Sequence, residues 1–195
     1  LMKFLVSLLA ILFIASCGAK TLRYTDDRAT LQLLFNGLCE QGNLPDPTTI
    51  VSCFDDASAT LTVNMVGTIL DQLARNDVLG AQKTAQAYGD QLPQPVSDCM
   101  DANPEANKIL EVYHIAGLTP EQIQAKVVKY LLTHIIQLHN QIVDANNKFK
   151  SGNYVQVGKI AGDIAQKIFG NGKASLKSDR DSLQQMFNGV FETGK

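Results

Sequence analysis

Histidine, cysteine and paired acidic residues are the side chains of this sequence whose types could support chemistry. His134 and His139 are five positions apart, so on a helix they point about 140° away from each other and cannot hold one metal ion together. Asp55 and Asp56 are neighbours that would also face different directions, which favours a solvated helix face over a general acid and base. The sequence patterns of nucleotide-binding loops, serine hydrolases and zinc proteases are absent. We therefore predict a protein that is not an enzyme, with no catalytic, cofactor-binding or metal-binding residue.

The N-terminal sequence decides which of the four cysteines the mature protein keeps. Lys3 precedes an apolar run over residues 4–15, and small residues follow at 15–19, which is typical of a cleaved secretory signal peptide. The run is shorter than the roughly 20 residues that a membrane-spanning helix needs. We therefore expect residues 1–19 to be a signal, and the protein to be secreted to the cell surface or beyond it.

Two alternatives to a cleaved signal stay open. Residues 14–17 resemble the lipobox of bacterial lipoproteins, in which lipidation of the cysteine, here Cys17, anchors the mature protein. In the second alternative, the apolar segment is not cleaved and stays in the protein as an N-terminal helix, anchored or buried in an assembly. We expect contact with a membrane only if Cys17 is lipidated.

Composition limits the classes of protein to which the rest of the chain can belong. A length of 195 residues, with 45% hydrophobic residues and a net charge of -2, fits one ordinary globular domain. It excludes a disulfide-dense miniprotein, a disordered chain and a multi-span membrane protein. The near-neutral charge also argues against a nucleic-acid partner, because phosphate binding needs clustered Lys and Arg. Apolar residues recur at helical spacing almost throughout, which predicts an all-α bundle of antiparallel helices.

Cap residues and prolines predict the helix boundaries. We expect helices over about 26–41, 47–61 with or without a continuation to 73, 77–92, a short turn near 99, 104–116, 119–151 and 153–169. Thr119 and Gln122 have the spacing of a capping box, and the helix they open is apolar on most sides near its middle. We therefore expect it to be the central helix, surrounded by the others. Gly158 and Gly162 predict that the following helix packs closely against a neighbour.

The two ends of the mature chain repeat each other. Residues 27–42 read DRATLQLLFNGLCEQG and residues 179–194 read DRDSLQQMFNGVFETG, which are identical at nine of sixteen positions. The shared motif consists of Asp27, Arg28, Phe35, Asn36 and Gly37, and again of Asp179, Arg180, Phe187, Asn188 and Gly189. A generic amphipathic helix does not need these shared types, so we interpret the second copy as a true repeat and as an assembly motif.

The repeat has two explanations, which stay open. Either the chain is a piece of a tandem array whose next copy begins at residue 179, or both copies belong to one protomer as equivalent helices. An element that fits an equivalent groove in a neighbouring copy gives a head-to-tail contact, and so rings or filaments. An acidic first half and a basic second half would orient such stacking, although a chance bias explains the charges equally well.

The repeat also bears on the cysteines. Removal of the signal leaves Cys39, Cys53 and Cys99, whose spacings match no zinc pattern. Cys39 aligns with Phe191, which indicates a position for an apolar side chain and therefore a buried free thiol. This favours a single disulfide between Cys53 and Cys99, as expected for an oxidising compartment.

The order of these features resembles that of a known family. A signal, a helix ending in F-x-G-L, two cysteines some 46 residues apart, a long apolar helix and the segment FKSGNYVQVGKIAGDI occur in this order. The combination resembles a family of small secreted helical proteins abundant in ciliates, over most of residues 30–170. The resemblance implies that Cys53 and Cys99 recur together with the glycines of residues 152–162, and it implies no assigned activity. Cys39 departs from the family pattern, in which that position is usually aliphatic.

These observations predict three segments and one class of function. We expect a signal over residues 1–19, a helical domain over 20–175, and a C-terminal helix over 176–195. The leading prediction is a secreted structural or interaction protein that binds itself, as a protomer of a filament or repeat array. The alternative is a carrier of an apolar ligand or lipid held between helices. We expect no cofactor.

Overall fold

The structure, a computed structural model, describes residues 26–170, which form seven α-helices and one short 3₁₀ helix. The helices are α1 (Asp27–Gln41), α2 (Asp56–Ala74), α3 (Val78–Gln91), α4 (Gln94–Ala102), α5 (Pro104–Val112), α6 (Pro120–Lys150) and α7 (Tyr154–Phe169), and the 3₁₀ helix spans Ile50–Cys53. The prediction of an all-α multi-helix bundle is confirmed, since this part of the chain contains no strand. The predicted signal over 1–19, Cys17 and the predicted helix over 176–195 lie outside the described residues.

Side-chain caps begin most of the helices where the sequence predicts them. Asp26, Asp77 and Asn103 each accept a backbone N–H from the first turn of α1, α3 and α5. Thr119 and Gln122 form the predicted capping box at the start of α6. Each cap bonds N–H groups that the helix itself leaves unpaired, and contributes about 1 kcal/mol. Short-range sequence therefore sets these helix starts.

The first part of the predicted helix over 47–61 is wrong. Ile50–Cys53 is a separate 3₁₀ turn, and α2 begins only after Asp55, which caps it instead of lying on a solvated helix face. The backbone N–H groups of residues 48–50 bond to the carboxylate of Glu105, more than fifty positions away. The local pattern could not reveal this change, because the partner comes from a distant part of the chain.

Helix α7 lies between α1 and α6, and α2 packs against α1, α3 and α6. The chain turns back on itself at residues 151–153, so α6 and α7 are antiparallel. The rings of Phe149 and Tyr154 meet edge to face at the turn, with centroids 5.0 Å apart, and Gln141 donates a hydrogen bond to Asp163 further along. Each of α1, α2, α6 and α7 therefore packs against two of the other three around one core.

The middle of α6 is not surrounded by other helices, contrary to the prediction. Helix α6 has 31 residues and α7 has 16, so they are about 46 Å and 24 Å long at 1.5 Å per residue, and α7 covers about half of α6. The side chains of Val128, Ile135 and Ile136 are 46%, 66% and 76% exposed. We refer to these three residues as the apolar row of α6. A bend at His134, where the backbone leaves helical geometry, lies near the point where α7 ends.

Candidate functional site

The contact between α1 and α7 is built on two facing glycines. A Cβ atom added to Gly37 would overlap the backbone carbonyl of Val155, and one added to Gly158 would overlap the carbonyl of Leu34. The backbones of α1 and α7 therefore approach more closely than any residue with a side chain allows. Gly162, like Gly158, was predicted to allow close packing, and it lies in the same interface against Gln41.

Apolar side chains surround the glycines. Helix α1 buries Leu31, Leu34, Leu38 and Cys39 with Thr30, and α7 buries Val157, Ala161, Ile164 and Ala165. The hydroxyl of Tyr113 donates a hydrogen bond of 2.6 Å to the backbone carbonyl of Leu38, next to Gly162. This hydroxyl occupies the space that a larger residue at position 162 would need. The interface is therefore specific in shape as well as apolar.

Polar pairs fix the register of the two helices. Lys159 lies 2.5 Å from the carboxylate of Glu40, and the side-chain amide of Gln166 donates to the backbone carbonyl of Gln41 at 3.2 Å. Gly37 meets Val155 near the start of α7, whereas Gln41 meets Gln166 near its end. The two helices therefore run in the same direction, so the predicted antiparallel packing is wrong for this pair, which the rest of the bundle joins instead of a short turn.

The structure places the first copy of the repeat motif inside the fold. Asp27 accepts a hydrogen bond from Thr60 of α2, Gly37 contacts α7, and Phe35 lies beside the ring of Phe54 with centroids 6.5 Å apart. The side-chain amide of Gln32 bonds to Asn36 at 2.7 Å and to the carbonyl of Pro47 at 2.6 Å. Arg28 lies 4.0 Å from the exposed Asp56 and contributes little. The motif predicted for assembly thus packs α1 within its own chain; its second copy lies outside the described residues.

The carboxylate of Glu105, which is partly exposed, and a disulfide hold the 3₁₀ helix in place. Glu105 accepts hydrogen bonds of 2.8–2.9 Å from the N–H groups of Thr48, Thr49 and Ile50, and a fourth from the Thr48 hydroxyl. Burial alone would raise the pKa of Glu105, but these donors outweigh it and lower the pKa to about 2. The sequence analysis missed this role. Its only signal was the acidic residue in the first turn of α5.

The cysteines adopt the arrangement that the sequence favoured. The sulfur atoms of Cys53 and Cys99 lie at disulfide distance, 2.08 Å apart, and join the 3₁₀ helix to α4. Cys39 is free and buried. Burial, with a smaller contribution from the nearby carboxylates of Glu105 and Asp46, raises the pKa of its thiol to about 11. Cys39 therefore behaves as a packing residue and not as a reactive thiol.

A second cluster lies at the bend of α6. The rings of Tyr130 and His134 stack with centroids 4.4 Å apart, and the Thr133 hydroxyl lies 2.7 Å from Nδ1 of His134. The buried Tyr130 hydroxyl has no hydrogen-bond partner within residues 26–170. His139 lies on the same helix, five positions from His134.

No group of three or more His, Cys, Asp or Glu side chains in residues 26–170 could hold a metal ion. No helix in that range has the length and apolar character needed to cross a membrane. Comparisons with protein-family models, with curated proteins and with solved structures found no match. The glycine interface between α1 and α7 is the largest helix–helix contact in the part of the chain that the structure describes.

Proposed function

We propose that this protein is a secreted, non-enzymatic structural protein whose copies bind one another. The observation that carries the proposal is that residues 179–194 repeat α1 at the positions that α1 buries. These positions hold Thr30, Leu31, Leu34, Gly37, Leu38 and Cys39 in α1, and Ser182, Leu183, Met186, Gly189, Val190 and Phe191 in the second copy. A second version of the α1 packing face supports a contact between copies, because an element that fits an equivalent groove in a neighbouring copy gives a head-to-tail assembly.

Two further observations support the proposal that the protein is secreted. The N-terminal sequence over residues 1–19 has the pattern of a secretory signal. The disulfide between Cys53 and Cys99 suits an oxidising compartment such as the extracellular space. The resemblance to the secreted helical proteins of ciliates agrees with both, and we include membership of that family in the proposal.

Sedimentation velocity over a wide concentration range tests self-association. We expect the average mass to rise with concentration, from that of one chain to that of rings or filaments. Deletion of residues 179–195 should leave the helical circular dichroism of the domain unchanged and keep the protein monomeric. A full chain that stays monomeric at every concentration would refute the proposal. So would a deletion variant that assembles as the full chain does.

The apolar row of α6 favours a second candidate, a carrier of an apolar ligand or lipid. Val128, Ile135 and Ile136 lie on the half of α6 that α7 does not cover. Exposed apolar side chains of this kind form ligand or partner surfaces when they are contiguous. Mass spectrometry of an organic extract of the natively purified protein tests this role. A monomer with stoichiometric lipid would establish the carrier in place of the assembly.

A further inference from the structure

We infer that the apolar row of α6, together with Lys126 and Lys129 beside it, is a docking surface for an anionic lipid bilayer. The helix would lie among the lipid headgroups with the three apolar side chains inserted below them, without crossing the bilayer. The inference does not depend on the proposed self-association. Unlike the membrane contact expected from the sequence, it does not need lipidation of Cys17 either.

The half of α6 that carries the row is apolar on two sides. On its inner side Ile123 and Tyr130 are buried in the bundle. On its outer side the three residues of the apolar row are 46–76% exposed. A helix on the surface of a bundle ordinarily has a polar outer face, because only one face meets the core. The outer apolar face of α6 therefore fits a partner from outside the fold.

The position of the row suits an extended surface. Helix α6 has 31 residues against 16 in α7, so a length of about 22 Å is not covered by α7. A single bound lipid needs a cleft that encloses most of its surface. Side chains as exposed as Ile135 and Ile136 do not line such a cleft, whereas they can enter the face of a bilayer.

Charge indicates which kind of surface fits the row. From residue 122 to residue 143 the chain contains Lys126 and Lys129 and no acidic residue. Within residues 26–170 neither lysine forms an ion pair, whereas three other lysines of α6 and α7 do. Lysine can lay its aliphatic stem along apolar surface and extend its ammonium group to a phosphate. The row and its lysines are therefore complementary to anionic headgroups above an apolar layer.

The same charges argue against a second copy of α6 as the occupant. Two α6 helices that paired through their apolar rows would bring Lys126 and Lys129 of both copies together. No acidic residue lies between residues 122 and 143 to neutralise them. Like charges brought together in this way oppose association. An anionic bilayer attracts the same lysines.

Flotation with lipid vesicles tests the inference. The full chain, carrying Cys17→Ser to exclude lipidation, is mixed with vesicles of phosphatidylcholine alone or with about one third phosphatidylglycerol. We expect binding to the anionic vesicles to be about tenfold tighter or more, because each lysine near the surface adds attraction. This preference should disappear as the salt concentration is raised to about 1 M, where charges are screened beyond about 3 Å.

Serine variants test the apolar row. Ile135→Ser combined with Ile136→Ser should weaken binding to the anionic vesicles by about tenfold or more, because two aliphatic side chains no longer leave water. Leu79→Ser is the matched control, since Leu79 lies on α3 and is 63% exposed, about as much as Ile135. The control should bind as tightly as the unaltered protein. All these side chains are exposed, so the urea midpoints should be unchanged.

Glutamine variants test the lysines. Lys126→Gln combined with Lys129→Gln should remove the preference for anionic over neutral vesicles. Lys83→Gln, which changes an exposed lysine of α3, should keep that preference.

A fluorescent label locates the contact without relying on the stability of the serine variants. Ile136→Cys, labelled with an environment-sensitive dye, should shift its emission to the blue on anionic vesicles, and labelled Leu79→Cys should not. Cys39 is buried and the other two cysteines of the described residues are bonded to each other, so the label enters at the added thiol.

Four results would overturn the inference. Absence of binding to either kind of vesicle would refute it, and equal binding to both would refute the requirement for anionic lipid. Undiminished binding by the double serine variant, with no dye shift at position 136, would place the lipid contact elsewhere in the chain. Stoichiometric lipid in solution without vesicle binding would make the row the surface of a carrier. Loss of self-association in the serine variant, with vesicle binding intact, would show that a second copy covers the row.

Discussion

Replacement of Glu105 by glutamine should destabilise the domain in a way that depends on pH. The substitution keeps the shape of the side chain but removes the charge that the N–H groups of Thr48, Thr49 and Ile50 bind. In the folded state these donors lower the pKa of Glu105 from 4.5 to about 2, against the opposing effect of burial. At about 1.4 kcal/mol per pKa unit the charge contributes roughly 3 kcal/mol, and solvent screening of this part-exposed group reduces that to about 2 kcal/mol.

The sign of the pH dependence follows from the lowered pKa. A carboxylate that is more acidic in the folded state stabilises the fold fully above its unfolded pKa of 4.5. The contribution is lost as the pH falls from 4.5 towards about 2, because protonation then removes the charge in both states. The Glu105→Gln variant should therefore differ most from the unaltered protein at pH 7 and least near pH 2.

Urea denaturation followed by far-ultraviolet circular dichroism measures this difference. For a urea slope of about 2 kcal/mol per molar, the variant should unfold at a midpoint about 1 M lower at pH 7. Glu111→Gln is the matched control, since Glu111 is an exposed carboxylate of the same helix α5. Equal midpoints for the variant and the unaltered protein at pH 7 would refute the role of Glu105. A deficit that persists undiminished near pH 2 would show that the charge is not its cause.

Three further perturbations have expected outcomes. Gly158→Ala should lower the free energy of unfolding by about 2 kcal/mol or more, because the added Cβ would overlap the backbone of α1. In the same urea assay Gly67→Ala should raise the free energy of unfolding by about 0.5–1 kcal/mol, because its Cβ meets only ring atoms of Phe149 at 3.7 Å. A gain in stability for both variants would contradict the close approach of α1 and α7. Removing the disulfide by replacing Cys53 and Cys99 with alanine should cost about 4 kcal/mol by the loop-entropy estimate, and an unchanged midpoint would argue against the bond. Cys39 should resist iodoacetamide at pH 8 in the folded protein and react after unfolding, as mass spectrometry would show; rapid alkylation of the folded protein would contradict its burial and its pKa of about 11.

Much of the fold follows from local sequence. Asp26, Asp77, Asn103 and Thr119 mark helix starts through bonds to N–H groups only two or three residues away, so a short window of sequence contains the whole interaction. The requirement for close packing could also be predicted from Gly158, because a glycine inside a helix is unfavourable unless a neighbour requires it. The partner of that glycine could not be predicted, because it lies on α1, far away in the chain.

The failures arise where a distant residue overrides a local signal. The cap-like pattern at Asp46 and Pro47 predicts a helix, but Glu105 takes up the N–H groups that would start it. The apolar middle of α6 predicts a surrounded helix, but α7 ends too early to cover it, so Ile135 and Ile136 stay exposed. In both cases the sequence pattern identifies the local residue types correctly. It contains no information about which distant residues pack beside them.

The sequence by itself determined the helical class, most helix starts, the division of the cysteines into one disulfide and one free thiol, and the repeat of the α1 face at residues 179–194. These depend on covalent order and on interactions within a few residues. Only the tertiary structure decided that Gly37 and Gly158 meet backbone to backbone, that Glu105 anchors the 3₁₀ helix, and that the motif read as an assembly surface packs α1 internally. Such contacts depend on which parts of the chain become neighbours, and that is settled by the packing of the whole bundle.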